Sequence, residues 1–475
     1  MSEFLAFTVL AFGFFPLGLL ITLNVARALL LAPIISLALA AINAQIHVVF
    51  DVPLSNLLIF QIFAQTSVLF LLFNRKARAH FIERVSRFDR GEFGISALAL
   101  AIGALSYAGA GAPVVWDARS IWLSKASWLN GPASQYLIAQ EDNLSGHPDY
   151  PLAGPSIMAT YWNLEGVPEN LQSGVALIAF LPVVVIAFAV LSFNQAINNG
   201  PTSISQVFLG FLLIGSTTFI ANGMLGDGYM DVTLSTSIVA LALVSLAFFI
   251  KPKMELLVAG SLLLVTASNL KQEGQIFALV VIAVISLLVL IFSRRLKDVA
   301  KYLGMFVPVF LVDRTIWQLF SNYAGLPESS STTAIFQNLG EIFQPSSRFY
   351  LLLSDYFESI GFFNLLLFSS LAIMALLLLW LRWPKLLAEG KIIAALALPV
   401  SSAMSYIVIS LTYTLGGSRD QLDWWLGTSY LRITASPELL LIGGIFVLSS
   451  LAIVKYGAPI TQLLRPEDSR EETRA

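Results

Sequence analysis

The chain has 475 residues, 57% of them hydrophobic and only 12% charged, with a mean hydropathy of +0.79. A soluble fold of this size cannot hide that much apolar surface, which leaves a polytopic membrane protein. A net charge of −2 argues against nucleic acid as a partner, and the absence of cysteine excludes disulfides, thiolate metal sites and a cysteine nucleophile.

A helix that crosses a bilayer takes ~20 mostly apolar residues, and about 13 segments meet that description. Their approximate extents are 4–24, 29–49, 54–73, 94–113, 172–193, 204–222, 229–250, 254–268, 275–293, 302–320, 361–382, 391–413 and 437–456. The expected fold is therefore an all-α polytopic membrane protein. Met1-Ser2-Glu3-Phe4 has no basic region, so the first segment reads as a retained span rather than a signal peptide. The chain divides into a three-span N-terminal addition with a basic loop (1–93) and a main membrane module (94–320) whose long loop covers 114–171. A second long loop, 321–360, contains Pro327-Glu328-Ser329-Ser330-Ser331-Thr332-Thr333 and reads as a mobile lid. C-terminal spans (361–456) and a charged tail (457–475) follow.

Lys and Arg set the orientation. Segment 74–92 carries Arg75, Lys76, Arg78, Arg84, Arg87 and Arg90, so it is expected in the cytoplasm. Alternation then places Arg27, Lys251/Lys253, Arg294/Arg295/Lys297/Lys301, Arg382/Lys385/Lys391 and the tail on the same side. The N-terminus falls outside and the C-terminus inside. Arg119, Lys125, Lys271, Arg314, Arg348, Arg419 and Arg432 are left on the outer side, where the rule disfavours them. Such cations either contact something anionic or pair with a neighbouring acid, as Arg314 can with Asp313.

Five polar clusters fall on that outer side. Trp116 to Ala126 packs Asp117, Arg119, Lys125 and two indoles into one stretch. Read as a helix, 100° per residue puts Asp117, Ile121, Ser124, Lys125 and Trp128 broadly on one side, with Trp116, Trp122 and Trp128 as interfacial anchors. His147-Pro148-Asp149-Tyr150-Pro151 reads as a rigid turn, because two prolines fix its backbone. Asp227, Tyr229 and Asp231 lie at one span end, and Lys271-Gln272-Glu273-Gly274 at another. Lys271 suits a phosphate with Glu273 orienting it; it equally suits a structural pair with Asp227 or Asp231. Trp424-Trp425-Leu426-Gly427-Thr428-Ser429-Tyr430-Leu431-Arg432 combines an arginine suited to bidentate phosphate contacts with hydroxyls and aromatic faces. Each cluster also has a plain structural reading, as an interfacial belt, a turn or a paired network. Their segregation to one side is what favours function. The three histidines, His47, His80 and His147, are too scattered for a metal cage.

The motif set Trp116-Asp117-Ala118, Trp122, Lys125-Ala126, His147 to Pro151, Lys271-x-Glu273-Gly274 and Thr428-Ser429-x-x-Arg432, spread over about 94–440, resembles bacterial members of the C superfamily of glycosyltransferases, GT-C. That superfamily includes protein O-mannosyltransferases and the aminoarabinose transferase of lipid A. The resemblance implies a GT-C-like multi-span fold with interfacial helices in the first outward loop. It also implies a bacterial inner membrane and a polyprenyl-phosphate-linked sugar donor. Asp117 becomes the expected catalytic base, and Lys271, Arg432 and Lys125 the donor phosphate ligands. Arg119, His147, Asp149, Tyr150, Asp227, Tyr229, Asp231, Glu273, Trp424, Trp425 and Ser429 become expected substrate contacts. The acceptor is a glycan, lipid or protein hydroxyl. No metal ligand is implied, and a divalent cation is compatible without being required.

Three features depart from the superfamily pattern. Ala118 follows Asp117 where many members have paired acids, so a second acid must come from elsewhere, with Asp149 or Asp231 as candidates. Trp425 stands where relatives often have histidine. Three spans precede the one leading into Asp117. The competing classes are a lipid-linked glycan flippase, which should show polar residues at mid-membrane depth and symmetric halves, and an O-antigen ligase or polymerase. A non-catalytic glycan-binding protein would tolerate loss of Asp117.

Overall fold

In a computed structural model of the chain, the residues described are 1–70, 89–111, 118–141, 147, 150–167, 170–198, 204–220, 228–326, 337–344, 347–360, 391–416 and 419–463. Every regular element among them is a helix. Eight are long and apolar enough to cross a membrane, with shorter apolar helices at Ile204–Ser216, Met254–Leu270 and Ala435–Leu451. The protein is thus an all-α chain with the character of a multi-pass membrane protein. The expected span 361–382 lies outside the described residues, as does the C-terminal tail beyond 463.

The first span is broken. Helix α1 (Glu3–Phe12) stops before Gly13, and α2 (Phe15–Thr22) restarts after Phe14. The side chain of Gln65 repairs the break by donating to Gly13 O and accepting from Leu17 N at 3.1 Å. Backbone groups freed inside an apolar bundle must find such partners. Together the two helices, Glu3–Thr22, match the span expected over 4–24. Helix α3 (Val25–Phe50) and α4 (Leu54–Phe70) follow, then α5 (Arg90–Gly109). Helix α3 is not peripheral: 78% of its apolar window is buried. Helix α3 is therefore built into the bundle.

The loop expected at 114–171 is folded. A π-helical segment, Ala118–Leu123, runs into α6 (Ser124–Asn130), followed by α7 (Ala133–Glu141) and α8 (Ala153–Glu165). The wider π turn departs from the 100° spacing on which the face from Asp117 to Trp128 was expected, and Asp117 lies outside the described residues. Helix α8 is buried from Ala153 to Trp162 and packs on α3.

Helix α9 (Leu171–Ile197) and α11 (Asp231–Ile250) form the centre, with 100% and 94% of their apolar windows buried. Both are apolar on every face, as helices surrounded by protein must be. Helix α10 (Ile204–Ile220) lies beside α9. Helices α12 (Met254–Leu270), α13 (Gln272–Ser293) and α14 (Leu296–Tyr323) follow. Only 11% of the α14 window is buried, and Leu311, Val312 and Leu319 point outward, a surface suited to lipid.

The 321–360 segment differs from its expected form. A short helix, Leu339–Phe343, precedes α15 (Arg348–Ile360). Phe349, Leu352 and Tyr356, spaced i, i+3, i+7, bury one face of α15 against α16 (Lys391–Leu415) and α17 (Arg419–Thr428). The mobile-lid expectation is thus corrected over 348–360, and 327–336 lie outside the described residues. Helix α18 (Tyr430–Ile433) and α19 (Ala435–Leu463) complete the bundle.

The bundle has two chemically distinct ends. At one, Arg27 pairs with Glu255 at 3.2 Å, Lys253 with Glu255 at 3.5 Å, and Lys251 donates to Gln195 O at 3.0 Å. These residues sit where α3, α12 and α11 begin or end. The opposite ends of α11, α12 and α19 hold Asp231, Lys271 and Arg432.

Candidate functional site

Helices α12 and α13 are joined by one residue, Lys271, in an extended conformation (φ −152°, ψ 159°). So short a connection forces the two helices close together. Gly274 makes that possible: a Cβ there would meet Leu234 Cδ1 at 2.7 Å and Ala267 O more closely still. Gly274→Ala is expected to lower thermal stability by about 1–3 kcal/mol, the usual penalty of overpacking, read as earlier loss of monodisperse protein on heating. An unchanged melting profile would mean the hairpin can spread.

The Lys271 side chain is buried, and Nζ lies 2.8 Å from Asp231 Oδ1, also buried. Asp231 is the first residue of α11, where the helix dipole favours an anion. Burial alone pushes the Lys271 ammonium towards neutrality, but the carboxylates of Asp231 and Glu273 outweigh it, so its pKa lies above the ordinary 10.5. The pair is thin for its depth. Asp231 Oδ2 and Glu273 Oε2 are buried with no hydrogen-bond partner among the described residues. The Arg432 guanidinium lies over the Tyr229 ring, 4.5 Å from its centroid, and Nη2 is 3.5 Å from Ser429 Oγ. Asp231, Lys271, Glu273, Arg432 and Ser436 line a narrow, tightly filled cavity, walled by Leu234, Phe277 and Ile433.

Tyr150 connects this cavity to the folded loop. Its ring lies 5.9 Å from Lys271 Nζ, within the range of a cation–π contact. On other sides the ring stacks with His147 at 4.4 Å and with Trp122 at 5.5 Å. Lys125, 0% exposed, donates through Nζ to His147 O at 2.6 Å and Tyr150 O at 3.1 Å. Its ammonium fastens the His147–Tyr150 turn to α6 and is fully engaged there. Lys125, expected as a donor phosphate ligand, thus donates to two backbone carbonyls of the loop. Trp122, expected as an interfacial anchor, is 1% exposed and packs as an aromatic spacer.

Of the residues singled out by sequence, Lys125, His147, Tyr150, Tyr229, Asp231, Lys271, Glu273, Ser429 and Arg432 thus form one connected group. Trp425 stacks on Tyr413 at 5.5 Å, beside the group, while Trp424 is 56% exposed. Arg119 is exposed on the π segment. Asp117, Asp149 and Asp227 lie outside the described residues. Asn269 was missed: it donates to Asp313 Oδ1 at 2.6 Å, and Asp313 pairs with Arg314 at 3.2 Å. The Arg314–Asp313 pairing was visible in sequence; Asn269 stands in the polar stretch ahead of Lys271 and was not singled out as a site residue. Tyr413 and Ser436 were also not singled out.

No family model, no curated protein and no solved structure matches the chain.

Proposed function

We propose that this protein is a membrane glycosyltransferase of the GT-C type. It moves a sugar from a polyprenyl-phosphate donor to an acceptor hydroxyl on a cell-envelope glycan, lipid or protein. One observation supports the reading above the rest. Lys271, Arg432, Asp231, Glu273, Tyr229 and Tyr150, distant in sequence, converge at one end of the bundle, away from the Arg27–Glu255 end. Two cations beside aromatic faces, at the end of apolar helices, suit the phosphate and sugar of a lipid-linked donor.

In the proposed step the acceptor oxygen attacks the anomeric carbon, and the bond from that carbon to the phosphate oxygen breaks. Its electron pair leaves with the phosphate. The acceptor proton passes to Asp117. A single displacement inverts the anomeric centre. A lipid phosphate leaves readily without a strong acid, and Lys271 and Arg432 offset its charge. Lys125 builds the wall of the site by fixing Tyr150. A divalent cation is compatible with this chemistry and not required by it.

In this reading about 13 helices span a bacterial inner membrane. The N-terminus and active site lie outside and the C-terminus in the cytoplasm. A cysteine-free chain makes the orientation directly measurable. His80→Cys is expected to react with impermeant maleimide only from the cytoplasmic side, and Trp424→Cys only from the outer side. The reverse pattern would overturn the placement of the site. The activity is tested by mass spectrometry of envelope glycans and lipid-linked sugars from cells with and without the protein. Loss of one glycan with accumulation of its lipid-linked sugar is expected; identical profiles would remove the reading.

A further inference from the structure

The cavity between Lys271 and Arg432 is too small for the donor assigned to it. The gap between them does not admit even a water molecule, whereas small-molecule sites typically enclose ~300–1,000 Å³. A side chain of the protein fills the seat instead. Asp231 reaches the Lys271 ammonium through Oδ1 alone, and its second oxygen is buried without a hydrogen-bond partner among the described residues. Glu273 Oε2 shares that condition. A buried ion pair recovers its desolvation cost only when its remaining lone pairs are also satisfied. Here two acceptor oxygens are left over in a pocket that holds two cations. As a stabilising device this is poor; as a place kept for a better anion it makes sense.

A phosphate group fits the same seat more fully. It carries negative charge and several acceptor oxygens, enough to meet the Lys271 ammonium and the Arg432 guanidinium together. We propose that Asp231 is an internal stand-in for a ligand phosphate: its carboxylate holds Lys271 in the resting state and gives way when a phosphate group binds between Lys271 and Arg432. Lys271 keeps a counter-charge throughout the exchange, so no bare buried ammonium forms. Asp231 opens α11 three residues after Gly228, whose φ of 81° marks a turn. This role for Asp231 rests on the phosphate-donor reading above and adds how the site stays shut without donor.

The test uses full-length protein in detergent, with farnesyl phosphate, farnesol and inorganic phosphate as probes in calorimetric titrations. If the resting pocket is open less than about one time in ten, removing the competing carboxylate tightens apparent binding by about tenfold or more. Asp231→Asn is therefore expected to bind farnesyl phosphate at least about tenfold more tightly than the wild type. Farnesol should bind neither form, and Lys271→Met should abolish binding. Equal or weaker binding by Asp231→Asn, with the wild type binding measurably, overturns the stand-in and leaves the proposed activity standing. No binding by either form overturns the phosphate seat and the donor class together. Inorganic phosphate binding as tightly as farnesyl phosphate overturns a lipid source. Where Asp231→Asn does not survive extraction, Asp231→Ser extracted with farnesyl phosphate present supplies the reading. Recovery with farnesyl phosphate but not farnesol supports the exchange, and equal recovery with both overturns it.

Discussion

Asp117→Asn is expected to lower sugar transfer by roughly 10²–10⁴-fold while leaving farnesyl phosphate binding unchanged. That range is the usual contribution of a positioned general base. The substitution keeps size and hydrogen-bonding capacity but removes the ability to take a proton. Asp117 is the base that the resemblance implies. Ala118, the next residue, is fully buried and opens the π segment that carries Trp122 to its stack on Tyr150. The same segment leads into α6, where Lys125 fastens that turn, and Tyr150 in turn faces Lys271. Asp231, one of the two further acids considered from sequence with Asp149, has its carboxylate engaged by Lys271, which makes it a weaker proton acceptor than an unpaired aspartate. Transfer retained within about tenfold of the wild type would remove Asp117 as the base.

How much of this was legible in the sequence follows the physics of each signal. Apolar length marked the helices, because each span must bury its backbone hydrogen bonds within itself. The clusters at 147–151, 229–231, 271–274 and 429–432 stood out as charges at the ends of such spans, and they converge. What the sequence concealed is tertiary in origin. Lys125 looked like a phosphate ligand because nothing local shows that the carbonyls of His147 and Tyr150 hold it. Helix α8 was invisible as a buried element, since 13 residues are too few to span and its flanks read as loop. Gln65 mending the break at Gly13 joins residues on different helices. The α15 face, by contrast, was written in Phe349, Leu352 and Tyr356, and the serine-rich run before it obscured that spacing.

The largest combined effect is expected at Lys271. Lys271→Met leaves Asp231 buried without its cation, and breaking a buried pair from one side typically costs about 3–5 kcal/mol. Transfer should fall as well, by roughly 10²–10³-fold, the usual loss when one electrostatic stabiliser of a leaving group is removed. These two effects separate in a double substitution. Lys271→Met with Asp231→Leu replaces the pair by apolar groups, and removing both charges together is often neutral or stabilising. Most of the lost thermal stability should return, while transfer stays low. Recovery of transfer with stability would show that the pair serves folding alone and would take Lys271 out of the donor site. The pH dependence carries the same signature with a definite sign. The Lys271 pKa is raised in the folded chain, so its stabilisation is fully present below the ordinary lysine value of 10.5 and is lost as pH rises through the higher folded value. Wild-type melting profiles should therefore show the Lys271 contribution at neutral pH and lose it only above pH 10.5, with the double substitution showing no such loss.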